Sequence, residues 1–179
     1  MKNNYEIRGD DVVIFIESKK YGNFETIISK NQLQRAMEFP NTWYPLKDSK
    51  SDKFYVVGKH SLNGKKKMAI LHRWLTHAPK GMVVDHINHD TLDNRFENLR
   101  VVTTSENGQN RRGAARHNKS RNRGVIWNKA TGKWVAQIWS NRKPIFYKSF
   151  ENKEDAILAV KEARKRLMPF SEMDISKEA

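Results

Sequence analysis

The chain has no cysteine at all. Disulfide scaffolds, thiol catalysis and cysteine-ligated zinc are thereby excluded. Long apolar runs are also missing. The longest, Val12–Ile16, falls far short of the roughly 20 residues that a membrane-crossing helix needs. No apolar core of a signal peptide stands near the start. Negative charge is scarce: 20 acidic residues stand against 34 Lys and Arg among 179, a formal net charge of +14. Aromatics are not scarce. Eight Phe, five Trp and five Tyr are spread along the chain, which argues against a disordered tail. With 37% hydrophobic residues, the chain can build one or two small cores rather than one large enzyme domain. These features lead us to expect a soluble, cytoplasmic, strongly basic protein with no membrane partner. Nucleic acid is the first partner to consider.

The charge is uneven. Residues 1–84 hold 15 basic and 8 acidic residues, and residues 100–167 hold 17 and 5. Between them, Asp85, Asp90, Asp93 and Glu97 face Arg95 alone. Such an acidic island is either a solvated loop or a metal site beside bound phosphate. Upstream, Val12, Ile14 and Ile16 alternate with Val13, Phe15 and Glu17, as in a strand with one partly wet face. Gln32–Met37 reads as a short helix ended before Pro40. Phe54–Val57 and Met68–Leu71 flank Asn63-Gly64, a positive-φ hairpin turn. Lys65, Lys66 and Lys67 follow it, either as an exposed edge that resists aggregation or as phosphate contacts.

Gly81–Val84 leads into Asp85-His86, adjacent residues that point to opposite faces of a strand. A polar loop follows, then Asn98–Val102 as a second strand. Thr103-x-x-Glu106 is a capping-box pattern, so a helix begins there and carries Asn107 in its first turns. Strand, loop, strand and helix make a compact ββα unit. Asp85-His86 alone is weak evidence. The spaced set is stronger: Asp85-His86-Ile87-Asn88-His89-Asp90, Asp93-Asn94-Arg95, Glu97-Asn98-Leu99-Arg100, Val102-Thr103 and Asn107. This set, with the lead-in Leu71-His72-Arg73-Trp74, resembles an HNH nuclease motif over about residues 70–112. It is most similar to the phage homing-endonuclease branch, in which asparagine replaces the last histidine.

The resemblance implies cleavage of DNA phosphodiesters with a single divalent metal. Hydrolysis needs an activated water and a cation that steadies the phosphate and the leaving oxygen. Hard oxygen donors suit such an ion, namely the Asp85 carboxylate and the Asn107 amide oxygen. Mg²⁺ is the expected ion, and Mn²⁺ is expected to substitute. His86 is the general base, since an imidazole with an ordinary pKa of ~6.5 is largely neutral at pH 7. Asn98, the central asparagine of the motif, braces the loop so that His86 is oriented. His89 stands where the family often has glycine and reads as a loop residue. Asp90 and Asp93 read as loop braces. His72 and Arg73 either contact the scissile phosphate or pack in the core, and both enter the DNA-binding set.

Asn107–Asn122 shows little periodicity, and Arg111, Arg112, Arg116 and Arg121 make it a basic linker suited to a DNA groove. Order returns with strands near Gly124–Asn128, Trp134–Trp139 and Pro144–Ser149. A helix then follows, with Asn152 as N-cap and Ala156, Ala159, Val160, Ala163 and Leu167 on one face. Ser120–Trp127, Gly132-Lys133-Trp134-x-Ala136-x-Ile138, Phe150 and Glu154-Asp155-Ala156 look like an AP2 DNA-binding domain. That family lays a three-stranded sheet in the major groove and backs it with the helix. By alternation Trp134, Ala136 and Ile138 pack on the helix. Arg123, Ile126, Asn128, Gln137, Trp139, Phe146 and Lys148 then face DNA. Ile126, Trp139 and Pro144 stand where plant members carry arginines, so bidentate guanine readout is thinner and Gln137 is the candidate adenine reader.

The expected fold class is α+β. Residues 1–112 form a β-rich region that includes the nuclease motif, 113–121 a basic linker, 122–170 the AP2-like module and 171–179 a frayed tail. The expected function is a site-preferring endonuclease acting on double-stranded DNA as a monomer, with no obligatory protein partner. A non-cleaving DNA-binding regulator with a degenerate HNH unit is the alternative, and an RNA-binding protein is a third reading.

Overall fold

The computed structural model describes residues 1–174. The chain divides into two compact units, one ending at Thr103 and the other beginning at Thr104. The division falls earlier than the boundary near residue 112 that the sequence suggests.

The first unit opens with an antiparallel meander of β1 (Tyr5–Arg8), β2 (Asp11–Ser18) and β3 (Gly22–Ser29). β2 is central, and its Val12, Ile14 and Ile16 are fully buried, as their alternation predicts. β1 went unseen in the sequence because its alternation of Tyr5 and Ile7 with Glu6 and Arg8 spans only four residues, all of them exposed. A 3-10 turn (Lys30–Gln32) runs into α1 (Leu33–Met37). A second meander follows, of β4 (Trp43–Lys47), β5 (Phe54–Leu62) and β6 (Lys65–Ile70). β4 tolerates Pro45 because it is an edge strand. The β5–β6 turn is made by Asn63 (φ 52°) and Gly64 (φ 72°), both left-handed as expected. α2 (Leu71–Thr76) ends at His77 in the left-handed region. The motif hairpin pairs β7 (Val83–His86) with β8 (Leu99–Val102).

One core serves these elements. Val12, Ile14, Ile16, Ile28, Ala36, Phe39, Trp43, Val56 and Leu71 form it, each at most 2% exposed. Phe39 stacks on Trp43 at 3.9 Å between ring centroids. Gly58 on β5 permits this, since a Cβ there would lie 2.4 Å from the Phe39 ring.

The second unit holds α3 (Thr104–Gln109), then β9 (Val125–Asn128), β10 (Lys133–Ser140), β11 (Lys143–Phe150) and α4 (Lys153–Leu167). The sheet order is β11-β10-β9, all antiparallel. Ala156, Val160 and Ala163 of α4 bury against Val125, Ala136 and Ile138. Small residues on the helix allow the close approach. Glu154 and Asp155 in its first turn and Arg164, Lys165 and Arg166 in its last oppose the helix dipole. Gly124 (φ 81°) lies against the Gln137 carbonyl and Val160, where a Cβ would come within 2.7 Å of both.

Two expectations are corrected here. The stretch before β9 is not a loose linker. Asn118 Nδ2 donates to the carbonyls of Asn122 (2.9 Å) and Val125 (3.2 Å). Buried Ser120 donates from Oγ to Val125 O at 2.6 Å. The expected frayed tail is ordered as far as it is described: Arg164, 3% exposed, pairs with Asp174, 6% exposed, at 2.6 Å. Residues 175–179 lie outside the described residues.

Candidate active site

Asp85 and His86 end β7, where strand alternation sends them to opposite sides of the hairpin. Asp85 is paired across the hairpin with Arg100. Directly opposed residues share a face, and the Arg100 guanidinium donates from Nε (2.9 Å) and reaches with Nη2 (2.8 Å) to Asp85 Oδ2. The carboxylate is buried, so this partner offsets the cost of desolvating it.

His86 turns inward and is 5% exposed. Its ring meets His72 nearly perpendicular at 5.0 Å and lies 6.3 Å from Tyr55. Nε2 stands 3.3 Å from Asn94 Oδ1. The orientation of the Asn94 amide follows from its other bonds. Nδ2 donates to Thr26 Oγ1 at 2.8 Å and to Thr91 O at 3.4 Å, so the oxygen faces His86. An oxygen can only accept, so Nε2 carries the proton and Nδ1 is the basic nitrogen of the neutral ring. Burial pushes the His86 pKa below its ordinary value, against the Asn94 bond and the charges of Asp85, Asp90 and Asp93. The ring is therefore neutral at pH 7, the state that a base requires.

The loop from Ile87 to Glu97 is held from several directions. Asn98 Oδ1 accepts from the Asn88 backbone N–H at 2.9 Å, and its Nδ2 donates to Asp93 O at 2.7 Å. Asp93 accepts from Asn88 (2.8 Å) and from both Nε and Nη2 of Arg95 (2.9 and 2.8 Å), which holds its carboxyl below the usual range. Asp90 caps its own loop by accepting from Leu92 N at 2.9 Å. His89 adopts φ 67°, which accounts for glycine being common at that place of the motif. The first sheet supplies the outer anchor. Ile27 on β3 exchanges backbone bonds with the loop, donating to Leu92 O (3.0 Å) and accepting from Asn94 N (2.7 Å). Thr26 Oγ1 donates to Leu92 O at 2.7 Å.

Asn98 thus braces the loop, and Asn94 bonds to His86. Asn94 and Arg100 both stand in the spaced motif of the sequence, where neither has an assigned role. A hairpin register would have exposed Arg100 as the partner of Asp85. No local signal points to the Thr26–Asn94 bond, because its partners are 68 residues apart.

Several expected DNA contacts lie elsewhere. His72 is 7% exposed in the ring cluster, and burial lowers its pKa to about 3, so it is an interior neutral residue. Arg73 donates to the carbonyls of Met82 (2.7 Å), Ala78 and Pro79 (3.1 Å each), closing the turn after α2. Arg123 is half-buried and donates to backbone carbonyls of residues 108–111. Phe146 pairs with Ile138 and Lys148 with Ala136, which places both on the α4 side of the sheet. Asn128 turns its Oδ1 to the Ala130 N–H in the β9–β10 turn. Ile126, Gln137 and Trp139 do occupy the open face. Tyr147, paired with Gln137, joins them there at 56% exposed. Arg111, Arg112, Arg116 and Arg121 are exposed.

Residues 71–109 match the family model of the HNH endonuclease. The match supports a nuclease, with DNA as its substrate class. No curated protein and no solved structure matches the chain. The HNH segment runs across the division between the units. Asp85, His86, Asn94 and Asn98 belong to the first unit, and Asn107, on α3, to the second.

HNH nucleases in general use a divalent metal. Among the described residues, no group of three or more His, Cys, Asp or Glu side chains is placed to hold one. The buried Asp85 carboxylate, whose Oδ2 takes both Arg100 bonds, is a hard-oxygen donor of the kind that suits a divalent cation. Among the described residues, no helix is long and apolar enough to cross a membrane.

Proposed function

We propose that the chain is a site-preferring DNA endonuclease of the homing type, hydrolysing one phosphodiester per binding event as a monomer. The observation that carries this reading is the His86 ring: buried, neutral, with Nε2–H committed to Asn94, inside a segment that matches a nuclease family. His86 Nδ1 takes a proton from water, the water oxygen bonds to phosphorus, and the P–O3′ bond breaks. Asn94 and the perpendicular His72 ring keep the imidazole in one tautomer and one orientation. Asn98 acts through the loop it braces. Asp85 and Asn107 would hold Mg²⁺, with Mn²⁺ as a substitute. When bound, the ion supplies Lewis-acid stabilisation of the phosphate and the leaving oxygen.

The second unit is proposed as an AP2-like recognition module. Its open sheet face presents Ile126, Gln137, Trp139 and Tyr147. Trp139 Nε1 donates to Gln137 Oε1 at 3.0 Å, which turns the Gln137 amide nitrogen outward as a donor for base edges. A concavity of about 520 Å³ beside β9 is lined by Arg111, Lys119, Lys129, Trp127 and Trp134. Mixed aromatic and basic walls of this kind suit nucleic acid.

The test is incubation of pure protein with supercoiled plasmid, with Mg²⁺ or with EDTA, beside His86→Ala. Metal-dependent nicking that His86→Ala loses by about 100-fold or more, with DNA binding retained, is the expected outcome. A variant that cuts at the wild-type rate removes His86 from the mechanism. Tight duplex binding without cleavage of a random-sequence library favours the non-cutting regulator.

A further inference from the structure

We propose that Arg123 is a positioning residue for cleavage rather than a DNA contact: its guanidinium fastens the C-terminal end of α3, the helix that carries Asn107. The proposal rests on the nuclease reading above. α3 has only six residues, too few to be stable by its own hydrogen bonds. The last carbonyls of any helix lack intrahelical donors and carry the negative end of its dipole. Arg123 answers both needs. Nη1 donates to Gln109 O at 2.8 Å and Arg111 O at 2.5 Å, and Nη2 donates to Gly108 O at 3.1 Å. Gly108 directly follows Asn107 in the chain.

A second tie reaches the same turn, since the Phe170 N–H donates to Gln109 Oε1 at 3.2 Å. Arg123 is itself anchored. Its carbonyl accepts from Arg164 Nη2 at 3.4 Å, and Arg164 forms the buried pair with Asp174. The chain of contacts therefore runs from α4 and the segment after it, through the residue that leads into β9, to the end of α3. Within the second unit, these contacts hold a helix that belongs to the matched segment. A lateral error of about 1 Å at a reacting site can cost about 100-fold in rate, so loosening this turn should be read in chemistry.

The experiment uses the full chain with Arg123→Gln and Arg123→Lys. Hydrogen exchange of the 104–112 amides is measured first. DNA affinity in EDTA and single-turnover cleavage across a Mn²⁺ titration follow. Arg123→Gln should speed exchange at 108–112 by about tenfold or more while β10 keeps its protection, since an opening that costs about 1.4 kcal/mol less is ten times more populated. Cleavage should fall by about 100-fold, with DNA affinity within about threefold of wild type, and excess Mn²⁺ should recover part of the rate. Arg123→Lys keeps the charge but not the planar fork, so it should fall between the two. Unchanged exchange at 108–112 overturns the proposal. So does a loss of DNA affinity that accounts for the whole loss of rate, which would make Arg123 a DNA contact. If Arg123→Gln unfolds the whole unit, the Lys variant decides by the same comparison of α3 with β10. A wild-type protein that cuts no DNA would sink the nuclease reading, and exchange would still show whether Arg123 holds α3.

Discussion

Acid should weaken the first unit in a way that one side chain controls. In an unfolded chain the His72 imidazole takes up a proton near pH 6.5, whereas in the folded chain burial holds it neutral down to about pH 3. Between those values the unfolded state binds more protons, so stability is full above pH 6.5 and falls as pH falls toward 3. Each pKa unit corresponds to about 1.4 kcal/mol, and lowering the pH from 7 to 5 therefore withdraws about 2 kcal/mol through this group alone. His86 adds to the slope with the same sign, because burial depresses it as well. The measurement is urea unfolding between pH 7 and 5, followed by the indole NMR signal of buried Trp43, for wild type and His72→Phe. Phenylalanine keeps a ring against Tyr55 and His86 and has no proton to gain. The absolute stability of the variant is immaterial, since the slopes carry the information. The wild type should lose about 2 kcal/mol more than the variant over this range. Parallel curves would refute the assignment of His72 as a buried neutral imidazole.

Asn94→Leu removes the acceptor at His86 Nε2 and leaves a buried N–H unpaired. Single-turnover cleavage should fall about tenfold to a hundredfold, part of the roughly 10²–10⁴ that a general base supplies. Asn94→Asp keeps an acceptor there and should retain more activity than Asn94→Leu, so equal rates for both and wild type would remove Asn94 from the mechanism. Gly58→Ala drives a methyl into the Phe39 ring and should cost about 1–3 kcal/mol, read as a lower melting temperature. An unshifted melt would mean that the Phe39–Trp43 stack gives way freely. Tyr147→Ala should weaken duplex binding more than Lys148→Ala does, because Tyr147 stands on the open face beside Gln137 and Lys148 on the α4 side. Binding measured by fluorescence anisotropy decides it, and the reverse order would overturn the assignment of the sheet faces.

What was legible in the sequence is what local chemistry decides. Asn63-Gly64 demands a left-handed turn, alternation marks β2, and helical spacing of small residues marks α4. β1 and β4 escaped because each is a short edge strand, β1 with four residues and β4 with five interrupted by Pro45. The same divide runs through the candidate site. Asp85, His86, Asn98 and Asn107 stand out as a spaced motif. Arg100, bonded to Asp85, and Asn94, bonded to His86 and to Thr26, depend on a hairpin register and on a strand nearly 70 residues away. On β11 the reading failed by one step of phase. Direct pairing of Ile138 with Phe146 puts Phe146 against α4, so every alternate residue changes face, and Tyr147 takes the place expected of Lys148. Arg123 failed for a different reason. An arginine ahead of a strand in a strongly basic chain looks like a phosphate contact by charge alone. The carbonyls of a six-residue helix end compete for the same guanidinium, and only the fold brings them within reach. Charge thus predicts the class of partner for the whole chain but not the role of any single arginine, because unpaired backbone carbonyls at a helix end and DNA phosphates select for the same side chain.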